Sequence, residues 1–455
     1  MFSFLDREVS VARPGFSRWL VPPAALSIHL AIGQVYSFSV FKNPLLALKA
    51  ADGSAWSLKE VGAIFSIAIA VLGLSAALFG RWLETAGPRK AMFVAATCFG
   101  TGFLVAAAGA ATHMLALIYL GYGVIGGVGL GLGYISPVST LIKWFPDRPG
   151  LATGLAIMGF GGGAMIGSPL GTKLMAVYKP TGYAISATWV TMGILYFAFM
   201  MFGVFTIRVP RQGWKPDGWE PQTTDSALIS THNVEVNTAF RTPQFWLLWV
   251  ILCMNVTAGI GILEQASPMI QDFFHGRITA IAAAGFVGVL SLFNMLGRFF
   301  WASTSDFIGR RRTYMVFFIA GMVLYLALPF TGVGHLNAVP LFVLTAGVLI
   351  SMYGGGFATI PAYLKDLFGG YHVSAIHGRL LTAWSTAGIV GPLIVNGILD
   401  HYVANHIPKH AAYPVILCIM AGLMVVGFIA NLMVRPVAQE HWLKESVDVP
   451  AGAAH

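Results

Sequence analysis

The sequence has 455 residues, of which 56% are hydrophobic and 10% are charged, and its mean hydropathy is +0.74. Soluble domains carry roughly 25% charged residues, so this composition excludes a soluble globular protein and indicates a membrane protein. The formal net charge of +9 is explained by basic loops on one side of the membrane and requires no nucleic acid as a partner.

Apolar windows of about 20 residues recur along the chain, and each is long enough at about 1.5 Å per residue to cross a bilayer core of roughly 30 Å. The first window is full length and has no small-residue cleavage site, so it indicates a span rather than a cleavable signal. The windows predict an all-α membrane protein with twelve transmembrane helices, near residues 18–41, 60–83, 91–111, 114–137, 150–172, 184–207, 244–270, 278–305, 313–333, 338–364, 374–400 and 411–434.

The basic residues predict the orientation of these spans. If both termini are cytoplasmic, nineteen of the 27 Lys and Arg lie on the cytoplasmic side and seven lie outside, which agrees with the positive-inside rule. The remaining basic residue, Arg298, lies within the eighth span. Cys98, Cys253 and Cys418 also fall within spans and are too scattered for a disulfide framework or a metal site, so we expect them to be buried apolar residues.

The chain repeats itself after 222 residues. The segment GRWLETAGPRK (80–90) follows the second span, and ASTSDFIGRRR (302–312) follows the eighth. The corresponding pairs are Glu84 and Asp306, Gly87 and Gly309, and Arg89 and Arg311. The repeat predicts two six-helix halves with the same orientation, 1–207 and 244–455, an arrangement described for large secondary transporters.

A polar segment rich in Pro, Gly and Trp separates the two halves. It predicts a cytoplasmic linker at 208–243. At its end, Thr242 and Pro243 predict the N-cap and the first residue of the seventh helix.

The two repeated loops share an acidic residue, a glycine and adjacent basic residues, and they resemble the signature of the major facilitator superfamily in both of its positions. A carboxylate there can bond the end of a neighbouring helix and the loop arginines, and so close the halves on the cytoplasmic side. Glycine permits the tight turn. A basic loop that only sets topology would explain the arginines but not the acid and glycine. The predicted cytoplasmic gate comprises Gly80, Glu84, Gly87, Arg89, Asp306, Gly309, Arg310 and Arg311.

Glycines at steps of four predict close helix packing in the fourth and fifth spans. They are Gly123, Gly127 and Gly131, and Gly159, Gly163, Gly167 and Gly171. GYGVIG (121–126) also matches the pattern of a dinucleotide-binding turn. It lies within an apolar helix and follows no strand, so we expect no nucleotide cofactor.

Three segments carry a more specific resemblance: GQVYSFSVFKNPL (33–45), GLGLGYISPVSTLIKWFPDRPGLATGLAIMGFGGGAMIGSPL (129–170) and NMLGRFFWASTSDFIGRR (294–311). Together they resemble the oxalate:formate antiporter family of bacterial organic-anion carriers and, more distantly, the monocarboxylate transporters of animals. The resemblance implies a carrier of the bacterial inner membrane that binds a small carboxylate midway across the bilayer and alternates the side to which it opens. We expect a monomer without a cofactor or a metal.

Arg298 is the first candidate for binding the substrate. An arginine near the centre of a span costs about 2.5–3.5 kcal/mol on insertion scales, so it should face a cavity or a partner. Its guanidinium offers a carboxylate two parallel hydrogen bonds, and Asn294 lies one turn earlier on the same face. In the alternative interpretation, Arg298 reaches the cytoplasmic interface or pairs with Asp306. The family resemblance implies that Arg298 binds the carboxylate.

The resemblance also implies an aromatic cage around the anion, in which ring faces exclude water. The positions carried over are His29, Tyr36, Tyr134, Phe160, Tyr353, Phe357 and Trp384. His29 departs from the family's tyrosine, and Trp384 replaces the lysine that supplies the oxalate carrier with a second cation. A dianion would therefore keep an uncompensated charge, so we expect a monocarboxylate such as lactate, pyruvate or formate rather than oxalate.

The sequence leaves the choice between proton symport and anion exchange open. Asn294 stands where the animal carriers have a protonatable aspartate, so a co-transported proton needs another site. His29, whose type titrates near neutrality, and Glu264 are the candidates, and each can equally be a hydrogen-bonded structural group. A membrane enzyme would need clustered catalytic groups or metal ligands. A transporter-like sensor would need a signalling domain, which a linker of about 36 residues does not provide.

Overall fold

The structure, a computed structural model, describes residues 3–49, 53–219, 228–230, 232–275, 277–332 and 336–443. These residues form no strand, and eleven helices are long and apolar enough to cross a membrane, with a bent pair as the twelfth span. The predicted all-α architecture of twelve spans is confirmed. The spans are α1 (Val21–Ile32 and Ser39–Ala47), α2 (Leu58–Ala86), α3 (Pro88–Ala111), α4 (Leu115–Ile118, Tyr119–Ile125 and Gly126–Trp144), α5 (Pro149–Tyr178), α6 (Ala184–Thr206), α7 (Pro243–Phe273), α8 (Ala280–Ile308), α9 (Arg310–Ala327), α10 (Val339–Phe368), α11 (Val373–Leu380 and Thr382–Ala404) and α12 (Ala412–Met433).

Short helical segments lie outside these spans. One α-helical turn precedes α7, and the remainder are 3₁₀ turns. The α-helical turn is Val236–Arg241, and the 3₁₀ turns are Ser3–Leu5, Glu8–Ser10, Arg18–Leu20, Lys179–Thr181, Leu328–Thr331, Lys409–Ala411 and Gln439–His441. Part of the predicted linker, 220–227 and 231, lies outside the described residues.

The first span differs from the continuous helix predicted at 18–41. Its α-helical parts are joined by a 3₁₀ segment, Gly33–Ser37, and the axis bends by 46° before Ser39–Ala47. The Ser37 hydroxyl donates to the carbonyl of Gln34 at 2.8 Å, a local bond that competes with regular helix geometry. The sequence-based expectation missed this break because it rested on the average hydropathy of the window, which does not register a local change of helix type.

The helix starts follow from local side chains. Thr242 accepts from the backbone N–H of Phe245 at 3.4 Å and Pro243 is the first helical residue, which confirms the predicted start of α7. At α2, Ser57 and Glu60 form a reciprocal capping box, with bonds of 3.2 Å and 2.7 Å.

The glycine stripes bring helices together as predicted. A Cβ atom on each of the four α5 glycines would meet, in turn, a residue of the first span, and these residues also recur every four positions: His29, Gly33, Ser37 and Phe41. The three α4 glycines face α2 in the same way. GYGVIG falls largely in the π-helical part of α4, as expected for a helix rather than a nucleotide-binding turn. Close contact along α5 therefore fixes where α1 presents its side chains.

The two six-helix groups, α1 to α6 and α7 to α12, meet mainly along two helix pairs. These pairs are α5 with α8 and α2 with α11. In the repeat, α5 corresponds to α11 and α2 corresponds to α8. The two pairs are therefore equivalent, as expected for a parallel repeat. Arg298 on α8 consequently faces the other half of the molecule.

Candidate functional site

Arg298 is completely buried between the two halves. Its Nε donates to Asn294 Oδ1 at 2.9 Å, and Nη1 lies 3.4 Å from the carbonyl of Ile157 on α5. Among the described residues, Nη2 makes no hydrogen bond of good geometry, although the Tyr36 hydroxyl lies close to the guanidinium. The guanidinium is therefore fixed on one edge and has an unused donor on the other.

The guanidinium lies between two aromatic rings, one from each half. Its Cζ is 5.5 Å from the centroid of Phe160 on α5 and 5.2 Å from that of Phe357 on α10. Ring faces attract a cation at these distances. The alternative pairing of Arg298 with Asp306 is not observed, since Asp306 bonds Arg310 and the start of α5.

Two glycines make room for this arrangement. A Cβ on Gly161 would lie 3.1 Å from Arg298 Nε, and one on Gly354 would lie 2.5 Å from Asn294 Oδ1. Either side chain would displace the guanidinium or its partner. Sequence reasoning did not single out these glycines, although each belongs to a run of three, 161–163 and 354–356.

Trp384 forms the centre of an aromatic cluster beside Arg298. Four rings surround it, with centroid distances of 4.6 Å to Phe357, 5.2 Å to Phe160, 5.4 Å to Tyr134 and 6.4 Å to Tyr36. The structure thus brings together six of the residues carried over from the family: Arg298, Tyr36, Tyr134, Phe160, Phe357 and Trp384.

Tyr353, the remaining tyrosine of the predicted cage, joins the halves on the side away from the gate loops. Its hydroxyl is 3.1 Å from that of Tyr36, so the pair connects α1 with α10. Both hydroxyls lie next to the guanidinium, which interacts electrostatically with each. This hydrogen bond covers the cluster from that side.

Three buried donors of this cluster have no acceptor. They are Arg298 Nη2, the Tyr134 hydroxyl and Trp384 Nε1, and none has a partner within the described ranges. An unsatisfied buried donor costs about 1–3 kcal/mol, and more when it is charged. One charged and two neutral donors in an aromatic shell form a site that a small anionic acceptor would satisfy.

The two predicted proton sites have different surroundings. His29 is completely buried against Tyr134, with ring centroids 5.4 Å apart, and both of its ring nitrogens contact backbone carbonyls. It therefore lies behind Tyr134 rather than beside Arg298. Glu264 belongs to α7, but its side chain lies outside what the structure describes.

His377 was not singled out from the sequence. It is buried on α11, 5.9 Å from the ring of Tyr134, and its Nε2 has no partner in the described part of the chain. It precedes Trp384 by seven residues, which places both on one helical face. That spacing is the signal that could have identified it.

The two gate carboxylates each bond the start of a helix in the other half. Asp306 accepts from the backbone N–H groups of Gly150 and Leu151 at 2.8 Å each, in the first turn of α5. Glu84 accepts from the N–H of Ala375 at 3.3 Å, in the first turn of α11, and from His372 Nδ1 at 3.0 Å. These N–H groups lack partners within their own helices, so the carboxylates act as caps supplied across the interface.

The loops themselves turn at glycine. Gly87 and Gly309 have φ angles of +83° and +87°, a conformation that favours glycine, and Gly80 packs directly against Ala375. Arg310 bonds Asp306 at 2.6 Å and Asp366 at 3.1 Å.

Two gate arginines do not bond the carboxylates as the sequence suggested. Arg89 donates to the carbonyls of Phe4 and Ile207, at 2.9 Å and 3.1 Å, and Arg311 donates to that of Leu432 at 2.5 Å. Ile207 and Leu432 lie at the C-terminal ends of α6 and α12. The expectation was wrong for these arginines because such ends attract cations.

Comparison with known proteins places this architecture in a family. The sequence profile of the Major Facilitator Superfamily matches residues 16–358 and 290–455. The chain belongs to this superfamily. It is therefore a multi-span membrane transporter, and members of this superfamily are not enzymes.

Individual members resemble the chain over most of its length. It is 27% identical over 380 residues to the oxalate:formate antiporter of Oxalobacter formigenes, covering 82% of this chain and 83% of that protein. It is 24% identical over 465 residues to monocarboxylate transporter 1 of Rattus norvegicus, with 95% and 88% covered. The solved structure of the E. coli fucose:proton symporter FucP matches with a TM-score of 0.62 at 16% identity, covering 91% of this chain and 99% of that chain. The major facilitator fold and the resemblance to the oxalate:formate antiporter family are confirmed.

Proposed function

We propose that this transporter carries small monocarboxylates by alternating access, with the carboxylate bound to Arg298. The observation that carries the proposal is that Arg298, Tyr134 and Trp384, neighbours in one aromatic cluster, each keep a buried donor without a partner among the described residues. One carboxylate oxygen would accept from the guanidinium and the other from a neutral donor. Asn294 orients the guanidinium through its bond to Nε.

The single guanidinium favours a monoanion over a dianion. Other nearby cations are engaged elsewhere: Lys365 donates to the carbonyl of Pro146 at 3.2 Å, and Arg379 donates to Asn237 at 2.8 Å. A second carboxylate in this shell would lose its hydration without gaining a cation. Lactate, pyruvate and formate therefore fit better than oxalate.

The relatives support the substrate class but not one compound, since their names specify oxalate and formate in one case and monocarboxylates in the other. Transport is by proton symport or by anion exchange. We place the protein in a bacterial inner membrane, with both termini cytoplasmic, halves at 1–207 and 244–455, and a monomer as the transporting unit.

Counterflow in proteoliposomes tests this proposal. Vesicles loaded with unlabelled pyruvate, lactate or formate should take up the labelled anion transiently, and the anion that transports best should also stabilise the purified protein most on heating. Faster oxalate than monocarboxylate exchange would favour oxalate/formate exchange instead. Ligand stabilisation without transport of any tested anion would indicate a transporter-like sensor.

Replacing Trp384 by lysine should change the preferred anion. The new ammonium would lie beside Arg298, so a dianion would then neutralise two cations, whereas the empty site would hold two like charges. We expect oxalate to stabilise W384K more than pyruvate does, reversing the order in the wild type, and the empty variant to unfold at a lower temperature. Thermal-shift measurements with both anions check this.

The matched control is W384F, which removes the Nε1 donor but adds no charge. It should keep the preference for pyruvate and bind it more weakly by about 0.5–1.5 kcal/mol, the contribution of one hydrogen bond. An unchanged preference in a folded W384K would contradict the assignment of Trp384 to the substrate shell.

A further inference from the structure

His29 has an unusual hydrogen-bonding environment for a buried histidine. Its Nδ1 contacts the carbonyl oxygen of Ala156 on α5, and its Nε2 lies 3.1 Å from the carbonyl oxygen of Tyr134 on α4. The side chain is completely buried, so water does not replace either partner. Both ring nitrogens therefore face an acceptor.

A neutral imidazole cannot satisfy both contacts. It carries one N–H, so its other nitrogen would place a lone pair against a carbonyl oxygen. Only the imidazolium donates on both edges. The backbone around His29 is thus arranged for a ring that carries an additional proton.

Two influences oppose that additional charge when the site is empty. One is burial, which removes the hydration of the imidazolium, and the other is the positive charge of Arg298. The two groups are linked through adjacent rings: Phe160 lies 5.5 Å from the guanidinium and 5.5 Å from Tyr134, and Tyr134 lies 5.4 Å from His29. A carboxylate on Arg298 would cancel the second influence.

The titratable and charged groups facing His29 come from three helices. They are Tyr134 on α4, Arg298 on α8 and His377 on α11, whereas α5 presents Ala156 and Gly159 to the ring. No carboxylate within the described ranges interacts with His29. An anion bound at Arg298 would therefore be the nearest negative charge.

We propose that His29 is the site of a co-transported proton and that it is filled when a carboxylate occupies Arg298. This proton site rests on the proposed function, and it selects proton symport rather than anion exchange. The empty site holds one positive charge, on Arg298. The loaded site holds the same net charge, because the proton on His29 balances the carboxylate. Empty and loaded carriers then cross between their two states with equal charge, so transport is electroneutral.

His377 is the alternative histidine. Its Nε2 lacks a partner, so, unlike His29, its ring is not set between two acceptors in the described structure. Burial opposes its protonation without a compensating pair of carbonyls. We therefore use it as the matched control, since both histidines are buried and both pack against Tyr134.

The test is pH-driven uptake of labelled pyruvate into proteoliposomes with an alkaline lumen. For a one-proton symporter, each pH unit supports about tenfold accumulation, because one pH unit and a tenfold concentration ratio are the same free energy. Protein-free vesicles and R298Q vesicles correct for diffusion of the free acid. H29Q should lose the accumulation but keep counterflow, and H377Q should keep both. A potassium diffusion potential should not change the wild-type rate.

A second measurement does not depend on the variants folding. Adding pyruvate to weakly buffered purified wild type should remove about one proton from solution per anion bound at a pH where free histidine is mostly neutral, about 7.5. Absence of this proton uptake, accumulation in H29Q equal to the wild type, or loss of accumulation in H377Q with H29Q intact would overturn the proposal. If the wild type shows no counterflow of pyruvate, lactate or formate, the proposed function fails instead.

Discussion

Replacing Arg298 by glutamine should strongly weaken anion binding and, at the same time, make the empty protein more stable to heat. Truncating one partner of a buried charged hydrogen bond costs about 2–5 kcal/mol of binding free energy, which corresponds to roughly 30-fold to several-thousand-fold weaker binding. Without the anion, Arg298 is a buried charge with an unused donor, and its removal relieves that cost. Function and stability should therefore change in opposite directions.

R298K separates charge from geometry. Lysine keeps the cation but cannot make two parallel hydrogen bonds from a planar group. We expect R298K to retain weak binding and to transport more slowly than the wild type. The control is R379Q, because Arg379 lies at the end of the first segment of α11 and bonds the carbonyl of Val236 rather than the cage. Counterflow and thermal unfolding measure both properties; transport by R298Q at the wild-type rate would remove the basis of the proposed site.

Alanine at Gly378 should force the gate side of the molecule open. The Cβ of alanine at position 378 would overlap the carbonyl oxygen of Ala76. Alanine at Gly80, on the facing helix, would place its Cβ 2.9 Å from Ala375 Cα. Helices α2 and α11 must separate to accept either methyl group. Overpacking typically costs about 1–3 kcal/mol, enough to change the ratio of closed to open molecules by roughly 5- to 150-fold.

Labelling of a cysteine introduced at Ser374 measures this change. Ser374 is 3% exposed, so a maleimide should react slowly with S374C alone and faster when G378A or G80A is added, in a background lacking the three native cysteines. G62A and G397A are matched controls, because a Cβ there meets no atom of the described chain within 4 Å. Equal labelling in G378A and G62A would show that the α2–α11 contact does not control opening.

Short sequence patterns predicted the features that depend only on residues close together in the chain. Hydrophobic windows identified the spans, the residues around Thr242 identified a helix start, and the four-residue spacing identified the shared face of Asn294 and Arg298. These features depend on a few adjacent residues. They therefore do not require knowledge of the tertiary structure.

Contacts between distant segments were not predictable in this way. His372 bonds Glu84 across 288 residues, and Tyr36 meets Tyr353 across 317. The partners of His29 are backbone carbonyls, which carry no residue-type signal. The same holds for Arg89, whose side chain is directed by the end of α6 rather than by the acid of its own loop. Such contacts follow from helix packing, which only the folded chain defines.

The two gate carboxylates are exchanged between the halves: Glu84 of the first half holds α11 of the second, and Asp306 of the second holds α5 of the first. Each half supplies one of these carboxylates and contains the helix bonded by the other. If one contact breaks, the second contact still joins the two halves. Both must release for the bodies to rotate apart. In the proposed alternating-access cycle, partial release would therefore gain no access for the anion, so the transition would be all-or-none and a leaky intermediate would be sparsely populated.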